Sequence, residues 1–171
     1  MALGQNTKLY ETPNHPFQGE RISQEHGLVG QYGLKNKEEL WRAQSELRGY
    51  RREARRLLGL TEGPGEERGE FVDSLHRNGV LSENEGLDGV LSLDVTDVLE
   101  RRLQTVAYRK GLANTPKQAR QFVTHGHITI EGRRVQEPGY TVPVSEEDEL
   151  EFDENSPIAD DLHPARADNQ E

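Results

Sequence analysis

The sequence predicts an α+β fold: a helical amino-terminal region followed by two helices packed on a small, mostly antiparallel sheet. Three observations carry this reading. Apolar residues recur every three or four positions through residues 37–58 and 94–110, the spacing of helices with one buried stripe. Three residues after the stop at Gly111, the tetrad Thr115-Pro116-Lys117-Gln118 combines an N-cap, a proline at the first helical position and a glutamine at the third, which starts a new helix. Ile128-Thr129-Ile130 then alternates as a half-buried strand, with Glu131-Gly132 as a tight turn.

In chain order, residues 1–36 are rich in Gly, Pro, Asn and Gln and read as an extended arm with at most one short helix near Gly19 to Tyr32. From Lys37 to Leu58, Leu40, Ala43, Leu47, Tyr50, Ala54 and Leu57 form the buried stripe of a helix capped by Asn36 and ended by Gly59. Trp41 lies beside Arg48, Arg51, Arg52 and Arg55 on a helical wheel. It reads either as a stacking surface or as a residue that closes the core, and the core is preferred. Residues 61–70 are a breaker-rich link, a short helix through Phe71, Val72 and Leu75 stops at Asn78-Gly79, and residues 82–89 form a second loop.

The segment LDVTDVLERRLQTVAYRKGL reads as one helix: Asp94 caps it, Asp97 favours the macrodipole, and Val95, Leu99, Leu103 and Val106 face inward. In the helix after Thr115, Ala119, Phe122 and Val123 face inward, and Lys117, Arg120, Gln121 and Thr124 outward. Arg133-Arg134-Val135 returns from the hairpin. Tyr140 with Val142, and Leu150 with Phe152, offer two further strands. The expected organisation is therefore an arm at 1–36, a helical region at 37–91, a compact α+β module at 92–153 and an acidic disordered tail at 154–171.

The formal charge of -10 is unevenly placed. Residues 146–171 hold eleven acids and one base, whereas residues 1–145 hold 20 of each. Within the neutral part, residues 98–134 carry eight Arg or Lys against Glu100 and Glu131, and residues 42–56 carry six Arg against Glu46 and Glu53. Arginine outnumbers lysine 16 to 5, which favours planar, bidentate contacts of the kind phosphates accept. Arg109 and Lys110 end one helix, Lys117 and Arg120 start the next, and Arg133 and Arg134 follow the hairpin turn. All six are expected to border one groove, next to the backbone amides at Thr115 to Gln118. A sheet with charged rims and no aromatic ladder suits RNA backbone shape better than stacked single-stranded bases.

Other chemistries find little support. The chain has no cysteine, which removes disulfides, thiolate zinc sites and a cysteine nucleophile. His125 and His127 can share a face, yet no acid or third histidine lies near them in sequence, so no metal is assigned. There is no Gly-x-Ser-x-Gly, phosphate-binding loop or pocketed carboxylate pair, and neither an enzyme nor a cofactor is expected. No apolar run approaches the roughly 18–20 residues of a membrane span, and the start lacks a signal-peptide core; a cytoplasmic protein is expected.

The segments LDVTDVLERRLQTVAYRKGL, TPKQARQFVTHGHITIEGRRV and PGYTV resemble the alpha-L RNA-binding module. Ribosomal protein four of the small subunit shares that module with some pseudouridine synthases, bacterial tyrosyl-tRNA synthetases and a heat-shock RNA-binding protein. YETPNHPFQGERI, YGLKNKEELWRAQ and LRGYRREARRLLG resemble the archaeal and eukaryotic branch of the ribosomal family, so the resemblance extends over nearly all of residues 7–153. It implies a primary binder of small-subunit ribosomal RNA that nucleates assembly at a multi-helix junction. It also implies a place near the channel through which messenger RNA enters, beside ribosomal protein five of the small subunit. Positions matching the family's RNA-facing surface are Arg109, Lys110, Thr115, Lys117, Arg120, Gln121, His125, Arg133 and Arg134, with Arg48, Arg51, Arg52 and Arg55 on the amino-terminal helix. The cysteine zinc site of bacterial members has no counterpart, and an acidic tail replaces their helical extension. Two rivals stay open: an RNA-modifying enzyme that uses the module as an anchor, and an acidic interaction module whose basic islands are only helix faces.

Acid surplus, Arg over Lys and a hydrophobic fraction of 32% together indicate adaptation to a cytoplasm near molar salt. There the Debye length falls to about 3 Å, and direct phosphate contacts must replace much of the affinity from counterion release. Circular dichroism is expected to show that the fold persists in molar KCl; loss of structure on raising KCl would contradict this origin of the charge.

Overall fold

The computed structural model describes residues 8–60, 65–160 and 163–166; arm residues 1–7, link residues 61–64 and tail residues 161–162 and 167–171 lie outside them. The expected arm is extended only as far as Gln18. Helix α1 (Gly19–Gln31) then packs on α2 (Lys37–Gly59). Its anchor is polar: Glu25, 2% exposed, accepts hydrogen bonds from Arg21 (2.6 Å), Lys37 (3.2 Å) and Trp41 Nε1 (3.1 Å). Three donors make a buried carboxylate tolerable. Trp41 thereby points at the α1 contact. In α2, Asn36 accepts from the Glu39 amide at 3.2 Å, and Leu40, Ala43, Leu47, Ala54 and Leu57 are buried.

Helix α3 (Gly65–Arg77) begins inside the segment read as a link, with Glu66 and Glu67 in its first turn, where the macrodipole favours acids. A short α4 (Leu87–Ser92) starts before the expected end of the second loop. It is followed by α5 (Val95–Glu100), where the Asp94 amide donates to Asp97 Oδ2 at 2.7 Å.

The single helix expected over 94–110 is two. Arg102 is extended (ψ 140°) and bridges to Thr141, and α6 (Leu103–Arg109) starts after it. Leu103 and Gln104 donate their amides to the carbonyls of Tyr140 (2.7 Å) and Pro138 (3.3 Å). Tertiary acceptors thus take over donors that a continuous helix would satisfy internally. Local apolar spacing carries no sign of this break, because Leu99 and Leu103 are buried on either side of it.

Helix α7 (Pro116–Thr124) packs on α6 and leads into β1 (Ile128–Ile130) and β2 (Arg133–Arg134). Glu131 (φ 51°) and Gly132 (φ 74°) are both left-handed, as a two-residue hairpin turn requires. Residues 140–142 form only the bridge to Arg102. After a short α8 (Val144–Glu147), β3 (Leu150–Phe152) completes an antiparallel sheet in the order β2-β1-β3. The tail, expected to be disordered, is structured in its described part: a 3-10 turn (Pro157–Ala159) buries Ile158 against the sheet side of the molecule.

Two hydrophobic cores result. One runs from Tyr32 to Leu99, the other from Leu103 to Ile158. The α5 residues Val95, Val98 and Leu99 belong to the first, so the division falls at residues 100–102 rather than at 91–92. The cores are joined by polar groups. Gln104, 1% exposed, donates its Nε2 hydrogens to the carbonyls of Tyr32 (3.0 Å), Gly33 (3.0 Å) and Pro116 (2.8 Å), and accepts from Arg120 at 3.2 Å. The Glu39 carboxylate takes Arg102 at 2.8 Å and Arg120 at 2.6 and 3.1 Å. Gly33, at φ +57°, lies so close to α7 that a Cβ would stand 3.0 Å from the Lys117 nitrogen. Glycine supplies both the conformation and the clearance.

Burial alone would raise the Glu39 carboxyl, but hydrogen bonds and charge from Arg120 and Arg102 outweigh it and hold the group below its ordinary 4.5. Its stabilising contribution is therefore complete above the ordinary value and is lost as pH falls through the lower, folded one. Acid titration of the unfolding free energy should show that Glu39→Gln is less stable than wild type at neutral pH and has a shallower loss below pH 4.5; parallel titrations would refute the assignment. Gln104→Leu keeps the volume but removes the side-chain donor of three carbonyls and one of the acceptors of Arg120, so urea unfolding at fixed KCl should reveal a loss of about 2–4 kcal/mol. A change within about 0.5 kcal/mol, the range of surface substitutions, would refute the role of Gln104.

Candidate nucleic-acid interface

Helix α7 organises the cationic face. Thr115 Oγ1 accepts from the Gln118 amide at 3.1 Å, and Pro116 occupies the first helical position. The reciprocal half of the cap is displaced by one residue: Gln118 Oε1 accepts from the Asn114 amide (2.7 Å) rather than from Thr115. Gln118 Nε2 is thereby turned to the Ala165 carbonyl at 2.8 Å. With Ala119, Phe122 and Val123 buried, the helix exposes Lys117, Gln121 and Thr124, and His125 continues that stripe.

Arg120 departs from its expected outward position. Its side chain is 21% exposed and its guanidinium is held by Glu39 and Gln104. The i, i+3 geometry that places Lys117 outward puts Arg120 on the flank facing α2, where a carboxylate meets it.

At the other end of α7, Gly126 (φ +73°) turns the chain into the hairpin. A Cβ there would lie 2.9 Å from Gln136 Nε2 and 3.5 Å from Arg134 Cδ, so the helix end sits against the side chains that follow β2. Lys117, Gln121, His125 and Arg134 thus form a continuous exposed band, with Arg133 beyond it at the hairpin. Arg133 is 84% exposed and touches Glu131 only at 3.5 Å. Arg134 is 56% exposed and its Nε donates to Asp153. The ring of His127 lies 6.0 Å from that of His125 and its Nδ1 is 2.8 Å from Ser156 Oγ. Burial, followed by the charges of His125 and Arg134, pushes the His127 imidazole below its ordinary 6.5.

The remaining expected residues are placed differently. Arg109 is exposed but forked on Glu100 at 2.8 and 3.2 Å, and Glu100 also accepts from the Tyr32 hydroxyl at 2.8 Å. Burial and then this carboxylate push the Tyr32 phenol up to about 12. Lys110 caps α8 by donating to the carbonyls of Glu147 (2.7 Å) and Asp148 (2.8 Å). The one groove expected to be bordered by six cations is therefore divided: Arg120 serves the joint between the cores and Lys110 the end of α8. The arginine row on α2 is divided too. Arg51 is half-buried and donates to the Leu93 carbonyl, and Arg48 pairs with Glu11 at 3.3 Å. Arg52 and Arg55 are exposed, and their side chains make no ion pair or hydrogen bond to any described residue.

Glu39, Arg102 and Gln104 escaped the sequence reading of the site. Their signal is weak: Glu39 looks like an ordinary first-turn acid, and its partners lie 63 and 81 positions away.

A family model described as S4 domain matches residues 101–148, beginning where the two cores divide. Over its whole length the chain is 71% identical across 172 residues to the small ribosomal subunit protein uS4 of Halobacterium salinarum, with both chains covered completely. It is 67% identical across 174 residues to the protein of that name from Natronomonas pharaonis, covering 99% of this chain and 100% of the relative. With the protein of that name from Methanococcus aeolicus, identity is 50% across 165 residues, or 95% of this chain and 93% of the relative. Agreement of this extent spans both cores, the joint between them and the α7 band, and the chain belongs to the small ribosomal subunit protein uS4 family.

Proposed function

We propose that this chain is a structural constituent of the small ribosomal subunit that binds small-subunit ribosomal RNA directly through the α7 band. The observation that carries the reading is the run of Lys117, Gln121 and His125 into Arg133 and Arg134, on the module that matches the S4 domain. Lys117 and Arg133 are free or nearly free to meet phosphates. Gln121 and His125 offer hydrogen bonds, and Arg134, whose Nε donates to Asp153, ends the run. Arg52 and Arg55 supply a second patch on α2 for the same polyanion. Arg109 is exposed at the rim, and Thr115, Lys110, Arg120, Arg51 and Arg48 support the surface mainly by holding elements in place.

The finer reading is that the protein nucleates subunit assembly at an RNA junction, lies near the channel through which messenger RNA enters, and neighbours ribosomal protein five of the small subunit. The family resemblance supports it, together with the Glu39 and Gln104 joint between two cores, one carrying the α2 patch and the other the α7 band. On this reading the protein is cytoplasmic and bound to the small ribosomal subunit.

The test uses a small-subunit ribosomal RNA junction fragment titrated by the full chain at several KCl concentrations. Lys117→Ala and Arg133→Ala should each weaken binding and reduce the slope of log K against log salt by about 1. The unfolding midpoint should stay unchanged, because neither head group has a buried partner. Arg120→Glu is a poor probe, since it places a second acid against Glu39 and loosens the joint. Unchanged affinity in the Lys117→Glu/Arg133→Glu double variant would remove the RNA-binding reading.

A further inference from the structure

The described carboxyl-terminal segment, residues 153–160 and 163–166, is stitched to the flank of α7 beside the band just described. Asp153 holds Arg134, and the Asp153 amide donates to the His127 carbonyl at 2.9 Å. Ser156 meets His127 at 2.8 Å, Ile158 is 6% exposed in the second core, and Gln118 reaches the Ala165 carbonyl at 2.8 Å. Arg166 lies over the Phe152 ring at 5.0 Å. The segment therefore runs from the hairpin back to the first turn of α7. Its described residues carry three acids (Asp153, Glu154, Asp160) against Arg166.

Two features make this a strap rather than part of the scaffold. Among its described residues it has no strand pairing after Phe152, and one buried apolar side chain, Ile158, fastens it. Segments with so few buried apolar contacts lie at the low-stability end of a fold. Asp153 is in direct contact with the band and neutralises Arg134. At molar salt, distant acids are screened within about 3 Å, so only a carboxylate in contact can suppress a cationic head.

We propose that residues 153–160 form a displaceable acidic strap that sets selectivity. Asp153 occupies Arg134 until an RNA presents phosphates to Arg134 and to the Lys117 stripe together, and polyanions that offer only one such contact fail to displace it. This rests on the RNA-binding reading above. The exchange is a substitution of one charge-assisted hydrogen bond for another, so it favours ligands with several well-placed phosphates and disfavours single ones. A rival arrangement, in which Asp153 orients Arg134 for RNA, predicts the opposite effect of removing the carboxylate.

The experiment compares the full-length wild type and Asp153→Asn on the cognate junction fragment and on a mixed-sequence RNA duplex at high KCl. It is joined by amide hydrogen exchange on the wild type with and without the fragment. Asp153→Asn should tighten duplex binding about tenfold, the worth of one charge-assisted hydrogen bond, and change fragment binding much less. Amides of 153–160 should lose protection when the fragment binds. Weaker or unchanged duplex binding by Asp153→Asn, or strap amides that keep their protection in the complex, would overturn the strap alone. Failure of the wild type to bind the fragment would overturn the RNA-binding reading and the strap with it. The exchange measurement decides the matter even if Asp153→Asn does not fold.

Discussion

Glu39, shared between the guanidinium groups of Arg102 and Arg120, fixes how the two hydrophobic cores meet. Beside it Gln104 spends both ends of its carboxamide on the same joint, gathering the end of α1, the start of α7 and Arg120. Much of the fold is arranged around these groups. Gly33 must be left-handed and without a side chain so that α1 can end against α7, and Arg102 must leave the helical conformation so that its head reaches Glu39. Buried ion pairs contribute little net stability, because desolvation offsets attraction. What they provide is directionality: an apolar contact tolerates sliding, whereas three carbonyls and one carboxylate have a single satisfying geometry.

The same joint explains which cations are available. Cations with the same local sequence character serve opposite ends: Arg120 is internal and Lys117, three residues earlier, is external. Arg51 is tied to a carbonyl of the neighbouring loop, while Arg52 points to solvent. A basic island is thus partly scaffold and partly surface. In a chain of net charge -10, two of the exposed heads that remain are accompanied by contact acids, Arg134 by Asp153 and Arg109 by Glu100. Short-range pairing of this kind survives salt that abolishes long-range fields.

Much was legible before any coordinates. Leu40, Ala43, Leu47, Ala54 and Leu57 are buried on α2 as their spacing predicts, Asn36 caps that helix, and Pro116 opens α7 with Ala119, Phe122 and Val123 inside. The hairpin at Glu131-Gly132 and the third strand at Leu150–Phe152 also follow from pattern. Other features were misread where local signals were silent or outvoted. Gly65 and Gly69 suggested a link, yet α3 runs through them. The polar composition after Asp153 suggested disorder, yet one isoleucine, one serine and one backbone carbonyl attach that segment to a surface the local sequence does not show.

The sequence by itself determined what depends on neighbours within a turn or two: helix faces, caps, the hairpin turn, the location of the acid surplus and, by resemblance, the family. Only the tertiary structure decided the break at Arg101–Arg102, the inward turn of Arg120, the capping duty of Lys110 and the hold of Asp153 on Arg134. Those outcomes depend on which polar groups, tens of residues apart, are brought into one desolvated place. There each donor and acceptor must find a partner, and periodicity along the chain carries no record of that pairing.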